Sequence, residues 1–268
     1  MNNLHRELAP ISDTAWAQIE EEASRTLKRH LAARRVVDVA GPKGLDYSAV
    51  GTGHLQKIKA PADGIEAVQR EAKPLVELRV PFELSRQAID DVERGATDSD
   101  WSPLKEAARN IAFAEDRAVF DGYPAAQIGG IRQGASNPPL MLPADLMKWP
   151  GTVAQAVSRL RLEGVEGPYT LILGAEPYTA VGAASDDGYP VLHHIQRLVD
   201  GDIVWAPAIA GGLVVTTRGG DFELAIGQDI SIGYLSHSTS SVKLYLQESF
   251  TFRLLTTEAA VALTPAKK

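Results

Sequence analysis

Residues 211–263 decide the fold, and they read GGLVVTTRGGDFELAIGQDISIGYLSHSTSSVKLYLQESFTFRLLTTEAAVAL. Short runs of β-branched or aromatic residues alternate there with glycines, which commonly interrupt strands. The runs are Leu213–Thr217, Phe222–Ile226 and Ile230–Leu235. A fourth run, Val242–Leu255, is longer than the roughly 5–6 residues of a typical strand. The stretch therefore predicts four strands, the last of them the longest.

The fourth run alternates almost throughout its length. Its even-numbered face carries Val242, Leu244, Leu246, Phe250 and Phe252, and its other face carries Lys243, Tyr245 and Gln247. Because successive side chains of a strand point to opposite faces, this pattern predicts a hydrophobic core on one side only. The side chains on the other face should contact something other than a hydrophobic core.

The composition is that of an ordinary soluble globular protein. Its 268 residues fit one large domain or two small ones. Twenty-seven basic and 34 acidic residues give a net charge of −7, which disfavours a nucleic-acid partner. The chain has no cysteine, so disulfides and thiolate metal sites are excluded, and a reducing cytoplasm fits. We expect no membrane partner and no signal peptide, because no apolar run approaches the roughly 18 residues of a span and the N-terminus is polar.

The N-terminal region predicts a long amphipathic helix. Ser12 or Asp13 can cap it, and it continues to about Arg35. Its apolar stripe has spacings of three and four residues and consists of Trp16, Ile19, Ala23, Leu27 and Leu31. A short strand follows at Val36–Val39.

Residues 45–84 predict an extended ribbon without a core of its own. Leu75–Val80 alternates clearly, and Ser48–Ile58 is the expected opposing strand. A ribbon with a polar middle has little to bury alone, so it should lie on another surface. An independent flexible insertion is the alternative.

Two helices and then a mixed unit follow. A short helix at Ser85–Arg94 precedes the longest helix, which Ser102 caps and which ends near Asp121. Prolines and glycines place a boundary near Gly134. Beyond it the pattern predicts a helix capped by Thr152, strands at Tyr169–Leu173 and Ile203–Ala206, and short helices at Pro177–Gly182 and Val191–Val199. Alternating strands and helices indicate an α/β unit over residues 134–216.

No constellation for catalysis, metal binding or a cofactor stands out. Among six histidines only His193 and His194 are close, and adjacent helical positions face about 100° apart. The sequence lacks His-Glu-x-x-His, a phosphate-binding Gly-Lys-Ser/Thr and a Gly-x-Ser-x-Gly elbow. We therefore predict neither an enzyme nor a metal protein.

Five separate blocks, in order, resemble the encapsulins, which are bacterial nanocompartment shell proteins that include the linocin-type bacteriocins. The blocks are LAARRVVDV (31–39), GPYTLIL (167–173), GGDFEL (219–224), GQDISIGYLSH (227–237) and LYLQESFTFR (244–253). The resemblance runs from Leu4 to about Leu263. It implies an α+β chain with the tailed-phage major capsid protein fold of the Hong Kong 97 type.

The resemblance also implies a division of the chain. Residues 1–44 would form an interior-facing helix and strand, 45–84 the extended loop that reaches over a neighbouring subunit, and 85–133 a peripheral domain with its spine helix. Residues 134–216 would form the axial domain at the fivefold axes, and 217–268 would complete the peripheral domain and its sheet. At the fivefold tip, Asp186, Asp187, Gly188 and Tyr189 would line a pore with an acidic rim.

The function implied by the resemblance is to enclose another protein. About 60 copies would close into an icosahedral shell around a cargo enzyme, a dye-decolourising peroxidase or a ferritin-like protein, with a role in oxidative stress or iron storage. The cargo's C-terminal targeting peptide would bind a groove formed by Leu27, Leu31, Arg34, Val36, Asp38 and Ile230. Two alternatives remain: a phage or prophage capsid protein that packages DNA, and a secreted bacteriocin-like or proteolytic enzyme.

Overall fold

The computed structural model describes residues 3–186 and 188–265. Its helices are α1 (Asp13–His30), α2 (Arg86–Glu93), α3 (Ser102–Phe120), α4 (Ile131–Gly134), α5 (Trp149–Leu162), α6 (Ala175–Ala183) and α7 (Val191–Gln196). Its strands are β1 (Asp38–Ala40), β2 (Ala49–Ile58), β3 (Ala67–Pro74), β4 (Val76–Ser85), β5 (Leu140–Met141), β6 (Tyr169–Leu173), β7 (Ser185–Asp186), β8 (Tyr189–Pro190), β9 (Ile203–Trp205), β10 (Gly212–Thr216), β11 (Phe222–Ile226), β12 (Ser231–His237), β13 (Ser241–Leu254) and β14 (Ala260–Thr264). In the described part of the chain, no helix is both long and apolar enough to cross a membrane.

The four strands predicted for residues 213–255 are confirmed as β10 to β13, with the bounds of β11 unchanged and those of the others shifted by one or two residues. β13 is the centre of the first five-stranded sheet. One of its edges pairs with β12 and then β11, and its other edge pairs with β4, all antiparallel. The parallel strand β1 extends the sheet beyond β11.

The prediction of a hydrophobic core on one face of β13 and different surroundings on the other is confirmed. Tyr245 and Gln247 lie on the second face, and both are almost fully buried. Arg79 stacks on the Tyr245 ring, and its Nε donates a hydrogen bond of 2.9 Å to the Gln247 side chain. Gln247 in turn donates to Gln228. The polar side chains on this face are thus buried in a hydrogen-bonded network and not exposed to solvent.

The predicted pairing of Leu75–Val80 with Ser48–Ile58 is wrong. β2 pairs with β3, whereas β4 pairs along its whole length with β13. β4 carries Phe82 and Leu84, which pack in the core beneath α1 and α3, so it gains far more burial in the large sheet than in an isolated hairpin. The free ribbon therefore consists of β2, β3 and the residues between them.

The second sheet has the order β5-β14-β10-β6-β9 and forms the predicted α/β unit. Its central strands β6 and β10 are buried throughout, and α5 and α7 pack against it. β14 pairs antiparallel with β10. Residues 260–264 thus join the unit predicted for 134–216 rather than the first sheet.

The helix predictions are confirmed in position, with three corrections at their ends. Ser12 caps α1, accepting a hydrogen bond of 3.2 Å from the Ala15 amide, but α1 ends at His30 and the chain turns there. α3 is the longest described helix, and its N-cap position is Trp101 rather than Ser102; the Asp100 carboxylate just before it accepts a hydrogen bond of 2.9 Å from the Ser102 amide. α5 begins at Trp149, so Thr152 lies inside it.

Candidate functional site

An open groove of about 440 Å³ lies between α1 and the beginning of β12. Its lining is largely apolar in the middle, where Lys28 adds a charge, and charged at both ends. The lining residues are Leu4, Arg6, Glu20, Ala23, Ser24, Leu27, Lys28, Leu31, Arg34, Asp229, Ile230, Ser231, Ile232 and Leu246. Such a surface suits an extended segment that becomes ordered on binding.

The structure brings together four of the six residues predicted for the groove: Leu27, Leu31, Arg34 and Ile230. Val36 lies instead in the hydrophobic core, with 4% of its surface exposed. Asp38 borders a separate cleft of about 110 Å³, where its carboxylate accepts a hydrogen bond of 2.6 Å from the Gly220 amide. The turn after His30 directs these two residues away from the groove.

The length of the groove can be estimated from the residues along α1 that line it. Its lining residues Glu20, Ala23, Leu27 and Leu31 lie three or four positions apart, on one side of the helix. Eleven positions at about 1.5 Å each span roughly 16 Å. An extended chain rises about 3.3 Å per residue, so the groove accommodates about five residues of a peptide.

The N-terminal residues form one wall of the groove. The Leu4 carbonyl accepts a hydrogen bond of 2.8 Å from the Tyr234 amide of β12. Arg6 forms an ion pair of 2.6 Å with Glu20, and its guanidinium lies 4.1 Å from the centre of the Trp16 ring. These contacts attach the wall to both α1 and β12.

A charge cluster lies beneath the C-terminal end of the groove. The Arg34 guanidinium contacts Glu115 of α3 at 2.6 Å, Asp229 at 2.7 Å and Glu248 of β13 at 3.4 Å. The Glu115 and Glu248 side chains have no exposed surface. Burial alone would lower the pKa of Arg34, but the hydrogen bonds and charges of Glu115 and Asp229 raise it above its ordinary value. Arg34 is therefore a fixed cation.

The cluster contains more carboxyl groups than cations. Burial and the nearby Glu115 carboxylate raise the pKa of Glu248 well above its ordinary value, which favours the neutral form. One oxygen of Glu248, Oε1, has no hydrogen-bond partner in the described part of the chain. Asp116, next to Glu115 on α3, accepts hydrogen bonds from the amides of Ala32 and Ala33 at 3.1 and 2.8 Å. It thereby fixes the turn that places Arg34.

Sequence reasoning missed Glu115, Asp116 and Glu248, although each left a signal. Glu248 occupies an even-numbered position, on the face of β13 that otherwise carries only apolar residues. Glu115 and Asp116 interrupt the small apolar face of α3. A carboxyl group on a buried face requires a partner. Arg34 is the partner of Glu115 and Glu248, and the amides of Ala32 and Ala33 are the partners of Asp116.

The cluster predicts an unusual pH dependence of stability. Burial raises the pKa of Asp116 to about 7, from 3.8 in the unfolded chain. Between these values the folded chain keeps a proton that the unfolded chain has lost, so stability falls as the pH rises from about 4 to 7 and then levels off. The shift corresponds to a loss of about 4 kcal/mol.

Thermal unfolding between pH 5 and pH 8 measures this effect. We expect the wild-type midpoint to be several degrees higher at pH 5. Asp116→Asn should make the slope shallower without abolishing it, because the raised pKa of Glu248 acts in the same direction. The variant should also lower the midpoint at pH 5, because an amide accepts only one of the two backbone hydrogen bonds. Glu106→Gln, at an exposed position of α3, should keep the wild-type slope. An unchanged slope in Asp116→Asn would contradict the assignment.

Three of the four predicted pore residues, Asp186, Gly188 and Tyr189, lie on the short hairpin β7–β8. Asp186 and Tyr189 are paired across it, and Gly188 has a φ of +83°, which favours glycine. Asp187 lies outside the described residues. The Tyr189 ring lies 4.6 Å from the ring of His194. The hairpin is a polar, exposed tip on the α/β unit.

The β2–β3 ribbon is largely exposed and carries large apolar side chains. They are Leu55, Ile58, Ile65 and Val68, which are 60%, 48%, 52% and 52% exposed. Exposed apolar side chains on a paired ribbon indicate a surface that another molecule covers. Across residues 3–186 and 188–265, no group of three or more His, Cys, Asp or Glu side chains could hold a metal ion.

Comparisons with known proteins agree with this architecture. Residues 1–251 match a family described as the encapsulating protein for peroxidase. The type 1 encapsulin shell protein of Rhodococcus erythropolis is 60% identical over 263 residues, which cover 98% of this chain and 100% of the relative. A virus-like particle from Pyrococcus furiosus has a TM-score of 0.64 at 14% identity, covering 92% of this chain and 98% of that one. The capsid of the Myoviridae phage XM1 has a TM-score of 0.53 at 11% identity, covering 88% and 92%. The expected capsid fold of the Hong Kong 97 type is confirmed.

Proposed function

Because the chain belongs to the type 1 encapsulin family of structural, non-enzymatic shell proteins that assemble into nanocompartments, we propose that its shell encloses a cargo enzyme in the cytoplasm and holds it by a C-terminal peptide. About 60 copies form this shell, each with its groove facing the interior. The groove between α1 and β12 carries the proposal. Its apolar centre and charged ends suit a short peptide of mixed composition.

Assembly explains two exposed features of the single chain. The β2–β3 ribbon lies over a neighbouring subunit, which covers Leu55, Ile58 and Val68. The β7–β8 hairpin lies at a fivefold axis, where Asp186 and Tyr189 of each copy line a pore for small molecules. A closed symmetric object repeats each of these contacts, so modest individual interfaces produce a stable shell.

The cargo that we propose is a peroxidase. The description of the matching family names a peroxidase as the enclosed protein, and this favours a dye-decolourising peroxidase over a ferritin-like protein. The shell would then confine oxidative chemistry that depends on the cargo's own active site.

Native mass and cargo retention test the proposal together. The purified chain should elute as a megadalton species by light scattering and appear as uniform hollow particles in negative stain. Co-expressed peroxidase should co-purify inside the particles, and peroxidase without its C-terminal ten residues should not. A species of one or two chains would contradict the assembly, equal retention of both peroxidases would contradict the groove, and nucleic acid in the particles would favour the DNA-packaging alternative.

A further inference from the structure

The edge of β12 that does not pair with β13 borders the groove. The hydrogen-bond pattern of β12 indicates that the backbone groups of one residue, Ile232, point into the groove. Tyr234 donates its amide to Leu4, so its backbone groups point away from β13. Ile232 lies two positions earlier in the same register with β13, opposite Leu246. Residues two apart in an antiparallel strand direct their N–H and C=O groups to the same side. The N–H and C=O of Ile232 therefore also point away from β13, toward the groove that this residue lines.

Leu4 already occupies one position beside this edge. Its carbonyl accepts a backbone hydrogen bond of 2.8 Å from the Tyr234 amide, which is the kind of contact that an added strand would make. The groove continues from Leu4 along Ile232 and Ile230 to Asp229. An extended segment in the groove would thus lie in line with Leu4, beside the same strand.

The opposite wall matches the spacing of an extended strand. Ala23 and Leu27 of α1 and Leu31, the residue that follows it, lie four positions apart and line the groove, so successive members are about 6 Å apart. Alternate residues of a strand are about 6.6 Å apart. The Ile232 side chain packs with the core residues of α1. In a strand added beside β12, the side chains on the same face of the sheet as Ile232 would therefore also face α1.

We propose that the cargo peptide binds as an additional strand on the outer edge of β12. The Ile232 N–H and C=O form backbone hydrogen bonds with the peptide, and its alternate side chains pack along Ala23, Leu27 and Leu31. The inference rests on the proposed function, because it describes how the same groove holds its peptide. It makes recognition depend on the peptide backbone as well as on its side chains.

A scan with N-methylated peptides tests the binding mode without altering the protein. The probe is a synthetic, fluorescently labelled copy of the last ten residues of the peroxidase, added while shells are dissociated and reassembled. N-methylation removes one backbone donor at a time. We expect retention to fall about tenfold at alternate positions of the bound segment and to change little at the positions between. Loss without this alternation would overturn the strand geometry.

A matched pair of variants tests the protein side. Ile232→Pro removes the outward N–H at an edge position where proline is tolerated, and Ile232→Ala removes most of the side chain but keeps the N–H. We expect intact shells from both variants, with cargo retention about tenfold lower in the proline variant than in the alanine variant. Equal retention in intact shells would overturn the inference, and if the proline variant does not assemble, the peptide scan decides. Failure of the unmodified peptide to bind wild-type shells would instead refute the proposed function.

Discussion

Deletion of residues 53–72 is expected to abolish closed shells while leaving the rest of the chain folded. The deletion removes most of β2 and β3, whose exposed apolar side chains would otherwise cover a neighbouring subunit. Val50 and Lys73 are paired across the ribbon, so the deletion leaves Gly51-Thr52 as a two-residue connection between paired strands. The first sheet is unaffected because β4 pairs with β13 independently of the ribbon.

Light scattering and circular dichroism measure the outcome. We expect a folded species of one or a few chains, at least tenfold smaller than the wild-type particle, because loss of a contact that is repeated in every copy cannot be compensated elsewhere in the shell. A control that replaces Ala62 and Asp63 by glycine keeps the ribbon length and both exposed strands, and it should assemble. Normal closed shells from the deletion would refute the role of the ribbon.

The elements of the fold could be predicted from the sequence, but two strand partners could not. Alternation in Leu75–Val80 shows that the segment is a strand with one buried face. It does not show which strand lies beside it, because pairing depends on the burial available elsewhere in the chain. The same limit applies to Ala260–Thr264, whose apolar residues fit either sheet and which pair with β10. Both partners lie far away in the sequence.

Four of the six residues predicted for the groove line it, two of them because the geometry of a helix places them there. Leu27 and Leu31 lie on one stripe of α1, and the structure places both in the groove. Val36 and Asp38 follow a turn whose direction depends on Asp116, a residue distant in the sequence. From the sequence pattern alone, residues 31–39 read as a helix that continues directly into a strand. The resemblance to encapsulins did not reveal the turn, because a sequence match identifies which residues correspond but not where their side chains point.

The buried cluster connects the fold to the groove. Glu115 and Asp116 are neighbours on α3, and one holds the Arg34 side chain while the other holds the backbone of the turn before it. A buried ion pair contributes little net stability but is costly to break, since the remaining charge is left unpaired. The cluster therefore favours one orientation of Arg34 over others. This orientation defines the C-terminal end of the groove.

Leu31→Asp is expected to give intact shells that lack cargo. Leu31 is half-buried in the groove, at the residue that follows the last turn of α1, and it lies outside the three buried clusters of the core. A carboxylate there costs the helix end only about 0.3–1 kcal/mol. In a bound complex the same carboxylate would be desolvated against apolar peptide side chains, which costs several kcal/mol. Affinity for the peptide should fall by about 100-fold or more.

Gel analysis of purified particles measures the ratio of cargo to shell. Leu31→Met keeps an apolar side chain of similar volume and should retain the wild-type ratio, which separates the effect of charge from that of any substitution at this position. Particles of normal size in both variants establish that assembly is unaffected. Because Leu31 lines the groove and lies outside the core clusters, empty but intact shells distinguish a binding defect from a folding defect. Full cargo retention in Leu31→Asp would show that the peptide binds elsewhere on the shell.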